Sequence, residues 1–179
     1  MTELGDSPVS FVVDVQRLPQ KGFPVRLEAD AAQRALLAND HGLISVDRFV
    51  ADLLVQTWKR DGIRVSGTVD ADVVQECVVT LEPLPAQIRE TIELLFVPEW
   101  SPLARPDHED GEMFLSAEGP DAPETFDGES VDAGALAEEF FGLALDPYPR
   151  KSGAELPKEG ENGADSSPFS ALHGRLRKD

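Results

Sequence analysis

Val65-Ser-Gly-Thr-Val-Asp-Ala-Asp-Val-Val-Gln-Glu-Cys-Val-Val-Thr-Leu-Glu-Pro-Leu-Pro85, with the return through Ile88 to Phe96-Val-Pro98, is the stretch that decides the fold. From Ile63 onward, Ile63, Val65, Val69, Ala71 and Val73 occupy alternate positions, with Arg64, Ser66, Thr68, Asp70 and Asp72 between them. That period of two belongs to a half-buried antiparallel strand. Cys77, Val79 and Leu81 continue the alternation, so one strand is expected from Ile63 to Leu81, with Cys77 buried on its apolar face. Glu82-Pro83 and Leu84-Pro85 are expected to stop it, because proline donates nothing to a ladder and restricts its predecessor. Ile88, Ile92, Leu94 and Phe96 then carry the apolar face back.

Upstream, Phe49, Ala51, Leu53, Val55 and Thr57 alternate with Val50, Asp52, Leu54, Gln56 and Trp58, and Asp61-Gly62 reads as the hairpin turn into Ile63. Ser10 to Val15 reads as a first strand of the same meander, with Phe11, Val13 and Val15 on one face, and Val25 and Leu27 as a brief restart. Asp30 is positioned to cap a helix that stops at Gly42. Downstream, Asp132 is placed to cap a second helix, in which Leu136, Phe140 and Leu143 with Ala137, Phe141 and Ala144 form an apolar face. Pro147 and Pro149 end it. Residues 101–130 are dense in Asp, Glu and Pro, the composition of a mobile acidic loop. Residues 151–179 read as a linker and flexible tail with a short helix, in which Ser167 is the cap, Pro168 the first helical position, and Phe169, Leu172 and Leu176 an apolar stripe. The expectation is an α+β domain over residues 1–150: an antiparallel β-meander with two packed helices.

Three blocks carry a resemblance to a known family. They are Val74-Gln-Glu-Cys-Val-Val-Thr-Leu-Glu-Pro83 with the strand ending at Phe96-x-Pro98, Glu129 to Lys151 around Asp132, and Ser167-Pro-Phe-Ser-Ala-Leu172. In this order they resemble the YceD family of bacteria, with Ser167 where Asn is commoner. On that resemblance Gly67, Cys77, Leu81, Glu82, Pro83, Asp132, Pro168 and Phe169 are signature positions without an assigned role. Many relatives have a second cysteine three residues after the first, a spacing that suggests a metal. Here that position is Thr80.

Composition restricts the chemistry. The chain has 179 residues, 41% of them hydrophobic, enough for one core. Its single cysteine forms no internal disulfide, and no apolar run has the length of a membrane span, so a cytoplasmic setting is expected. The net charge of -18 disfavours broad binding to nucleic acid. One cysteine without a neighbouring histidine builds no structural zinc site. His41, His108 and His173 are scattered, and nucleotide loops, nucleophile elbows and calcium loops are missing. No catalytic residue, metal or cofactor is expected. Glu76, Glu82, Glu90 and Glu93 are the strand-borne carboxylates close in sequence, and alternation separates Glu90 from Glu93.

Basic residues fall into small groups. Arg150 and Lys151 follow the second helix, and Arg175, Arg177 and Lys178 end the chain. These five are the candidate contacts to RNA or a partner, although such residues commonly serve only to solvate turns and tails. The terminal stripe is suited to folding on its own core or to occupying another protein's groove. The family resemblance implies a non-enzymatic factor supporting accumulation of large-subunit ribosomal RNA, by binding precursor RNA or a basic ribosomal protein, with no membrane and no small-molecule substrate. A metal-dependent RNA-processing hydrolase and an interaction module unrelated to ribosomes are the alternatives.

Overall fold

The computed structural model describes residues 7–104 and 123–154. In chain order the elements are β1 (Val12–Asp14), β2 (Phe23–Glu28), α1 (Ala31–Asp40), β3 (Ser45–Trp58), β4 (Gly62–Glu76), β5 (Pro83–Pro98), a 3-10 turn (Pro102–Ala104), β6 (Glu124–Phe126), β7 (Ser130–Asp132) and α2 (Ala133–Leu143). The five-stranded sheet runs β2-β3-β4-β5-β6. It is antiparallel except for the β5–β6 pair. This is the α+β meander with two packed helices that the alternation predicts.

Register gathers the core residues of the sheet on one face. Val55 lies opposite Val65 and Ala51 opposite Val69, while Ile63 faces Phe96 and Ala71 faces Ile88. All eight are buried, and with Leu37, Phe49, Leu136, Ala137 and Phe141 they form the core between sheet and helices. Phe141 meets Phe49 edge to face at 5.5 Å between centroids. The hydrophobic gain on that one face fixes the register, because a slip of one residue would expose the whole set.

Gly67 permits close approach of β3 and β4. A Cβ there would lie 2.1 Å from the Asp52 carbonyl oxygen and 2.8 Å from the Leu53 Cα. Helix α1 begins with a reciprocal cap: Asp30 accepts from the Gln33 amide, and the Gln33 side chain accepts from the Asp30 amide, each at 2.9 Å.

Several local readings need correction. The strand β4 ends at Glu76, and Cys77 to Thr80 form a turn. Leu81 is therefore exposed with φ 59°, off the apolar face. Pro83 and Pro85 do not stop the chain; they pair with Glu76 and Val74 inside β5. They are accommodated because β6 covers only Phe96 to Pro98, leaving the start of β5 as a sheet edge where a missing donor costs no ladder bond. The β3–β4 connection is the three residues Lys59 to Asp61, and positive φ falls on Lys59. The strand near Ser10 is not part of the meander: β1 pairs with β7 in a separate ribbon. Leu143 is 75% exposed, because the core face of α2 is complete with Leu136, Ala137 and Phe141. Within 101–130, the 3-10 turn and β6 are ordered elements, and residues 105–122 lie outside the described residues.

Candidate functional site

The ends of β3, β4 and β5 meet where the chain leaves α2. Beyond Leu143, the segment 144–151 runs back as a strap over the end of β4. The Gln75 side chain donates to the Asp146 carbonyl at 2.8 Å, and the Val78 amide donates to the Pro149 carbonyl at 3.0 Å. The turn itself is closed by the Cys77 amide donating to the Glu82 carbonyl and the Leu81 amide to the Cys77 carbonyl, both at 2.9 Å. Signature positions Cys77, Leu81 and Glu82 thus lie in one turn, Pro83 opens β5 directly after it, and Lys151 of the candidate contact group docks on the turn.

Cys77 is fully buried, and its Sγ accepts from the amides of Thr80 and Lys151, each at 3.4 Å. The Thr80 hydroxyl, then these two amides, lower the thiol to about 6 against the upward push of burial. The hydroxyl has one proton and also lies 3.2 Å from Glu82 Oε2, so the amides are the fixed part of that environment. An apolar strand face was the expectation; a polar turn with a thiolate-stabilising cradle is the finding. The Cys-x-x-Thr spacing is the sequence signal for it, since a turn brings the third residue's amide back to the first.

Lys151 Nζ donates to Glu82 Oε2 at 2.8 Å. That bond and the charge of Lys151 hold Glu82 below the usual carboxylate range, and Glu82 in turn raises Lys151. The residues around Cys77 do not fit a zinc ion. The partners are a hydroxyl, a carboxylate and an ammonium, and the ammonium already supplies the positive charge. Among the described residues no three His, Cys, Asp or Glu side chains converge to hold a metal. Nor does the thiol have a basic partner, because His41 Nε2 lies 3.2 Å from Glu138 Oε1 with its ring edge-on to Phe141 at 5.1 Å. That histidine pins the end of α1 to α2, a role invisible in its scattered sequence position. Glu90 pairs with Val69 and Glu93 with Ser66, on opposite faces of β5, so these two carboxylates do not share a cleft.

The remaining signature positions in view are architectural. Asp132 Oδ1 accepts from the amides of Gly134 at 3.0 Å and Ala135 at 2.9 Å, capping α2, and from the Phe11 amide at 2.8 Å. Burial alone would raise its carboxyl, but the Ser10 hydroxyl and these three amides outweigh it and lower it. Gly67 lets the two central strands touch. Pro168, Phe169, Arg175, Arg177 and Lys178 lie outside the described residues.

The outer face of the sheet is polar. It carries Glu28, Asp52, Asp70, Asp72 and Glu93 against Arg26, Arg48, Arg64 and Arg89. Three of the four guanidiniums are engaged: Arg26 with Asp52 at 3.2 Å, Arg64 with Glu93 at 2.6 Å, and Arg89 with Asp70 at 3.6 Å. Arg150 is exposed on the strap. Among the described residues no helix is long and apolar enough to cross a membrane.

The family model described as "Large ribosomal RNA subunit accumulation protein YceD" matches residues 65–173. The match begins in β4 and includes Gly67, the Cys77 turn, Asp132, the strap, Pro168 and Phe169. Neither the curated proteins nor the solved structures gave a match.

Proposed function

This chain belongs to the YceD family of large ribosomal RNA subunit accumulation proteins, and from that premise we propose that it acts in the cytoplasm by binding a basic protein component of the immature large subunit, without covalent chemistry. The observation that supports this reading is the outer sheet face, on which carboxylates outnumber guanidiniums, three of the four guanidiniums being themselves ion-paired. Such a face attracts a cationic protein and repels phosphate. Holding a basic protein until its RNA site is ready would prevent wrong RNA contacts and favour accumulation of the assembled RNA. Direct contact with precursor RNA is the second reading, supported by exposed Arg150 and by the terminal Arg175, Arg177 and Lys178. Lys151 is engaged by Glu82 and contributes little to it.

Depletion of the protein in its own cells, followed by complementation, tests the proposal. Mature large-subunit RNA should fall relative to small-subunit RNA and recover with the wild-type chain. It should not recover with Glu28→Lys, Asp52→Lys, Asp72→Lys and Glu93→Lys combined, provided that variant folds by circular dichroism. Full recovery with the folded charge-reversed chain would exclude the outer face as the working surface.

A further inference from the structure

The strap end of the sheet carries five of the eleven exposed large apolar side chains among the described residues. Ile44 enters β3 there, Val78 and Leu81 project from the Cys77 turn, and Leu143 and Tyr148 flank the strap. Their exposures are 52%, 45%, 65%, 75% and 72%. Hydrogen bonds bring their elements together: the Ile44 amide donates to the Val74 carbonyl, and Gln75 and Val78 hold Asp146 and Pro149. His41, at the end of α1, lies against Gly142. Five large apolar side chains on one end of a strongly charged protein mark an interaction surface.

We infer that the occupant is the chain's own C-terminal segment, with Phe169, Leu172 and Leu176 against Ile44, Val78, Leu81, Leu143 and Tyr148. The described chain reaches Ala154 beside this surface, since the Lys151 amide is bonded to Cys77 Sγ. Phe169 follows 15 residues later. A coil of that length spans about 20 Å on average, ample to return to the surface at an effective concentration in the millimolar range. The segment's apolar positions are spaced by three and four, the spacing that one face of a helix would present. Its charges agree as well: Arg175, Arg177 and Lys178 end the segment, while exposed Glu76 precedes the Cys77 turn and exposed Asp146 lies on the strap with Arg150. A second copy brings net charge -18 against -18 and is repelled. Docking covers the patch and sequesters the terminal cations, so a partner of either would have to displace the segment.

The test uses the full chain with a benzophenone amino acid replacing Phe169, irradiated and mapped by mass spectrometry. Cross-links should fall within the same chain on residues 78–81 or 143–151. In a parallel measurement, Phe169→Asp with Leu172→Asp should speed amide exchange at Val78, Leu81 and Leu145 about tenfold, and Leu143→Asp should do the same while its circular dichroism spectrum stays that of the wild type. Cross-links elsewhere, cross-links between copies that rise with concentration, or unchanged exchange in both variants would each overturn the inference. All of these readouts concern the isolated chain, so the ribosomal reading stands or falls separately.

Discussion

Replacing Asp132 with alanine should destabilise the protein by about 2–3 kcal/mol, although the residue touches no ligand and performs no chemistry. One carboxylate oxygen serves three amides, those of Gly134 and Ala135 in the first turn of α2 and that of Phe11 before β1. Loss of an N-cap costs about 1 kcal/mol. Loss of a charge-assisted hydrogen bond costs about 1.5–3 kcal/mol, and solvent access to the Phe11 amide places this one at the low end. For a chain of this size the sum lowers the melting temperature by about 6–9 °C. Asp132→Asn should cost under about 1 kcal/mol, because the amide oxygen accepts the same three bonds. The carboxyl titrates below its ordinary value in the folded state, so its stabilisation is present above about pH 4 and is lost as pH falls through the lowered value. Urea titrations at pH 7 and pH 3 measure both effects. Equal losses for the alanine and asparagine variants, or a wild-type advantage undiminished in acid, would refute the reasoning.

Gly67→Ala should cost about 3 kcal/mol, at the upper end of overpacking penalties, because the Asp52 carbonyl lies 2.1 Å from the added carbon; urea unfolding checks it. Native Cys77 should react slowly with thiol reagents despite a thiol lowered to about 6, because the sulfur is buried. Relative to Cys77→Ala, the wild type should gain stability as pH rises from about 6 toward 9, since the thiolate is favoured in the fold; a flat difference between the two proteins across that window would contradict the amide cradle.

The meander was legible because both neighbours of β4 share its period: Val65, Val69 and Val73 repeat every second residue or multiples of it, as do Val55 and Ile92 opposite. The caps at Asp30 and Asp132 were legible because they depend on residues two or three positions away. Readings failed where the answer depended on distant chain. Whether Pro83 and Pro85 end a strand depends on the short reach of β6, which leaves the edge open. The setting of Cys77 depends on Lys151, 74 positions later. The second role of Asp132, holding Phe11 across 121 positions, carries no local signal either. The surface was the least legible part: counting lysines and arginines shows nothing of the ion pairs that occupy Arg26, Arg64, Arg89 and Lys151.

The most direct test of the central claim is equilibrium binding of the purified full chain to unassembled basic proteins of the large ribosomal subunit and, separately, to precursor large-subunit RNA, across a salt series with and without magnesium. At least one basic protein should bind, with an affinity that falls steeply as salt rises because exposed charges are screened beyond about 8 Å at physiological ionic strength. The RNA should remain uncut and bind more weakly. RNA binding with no protein binding, or a magnesium-dependent cut in the RNA that disappears with Glu90→Gln or Glu93→Gln, would contradict the account.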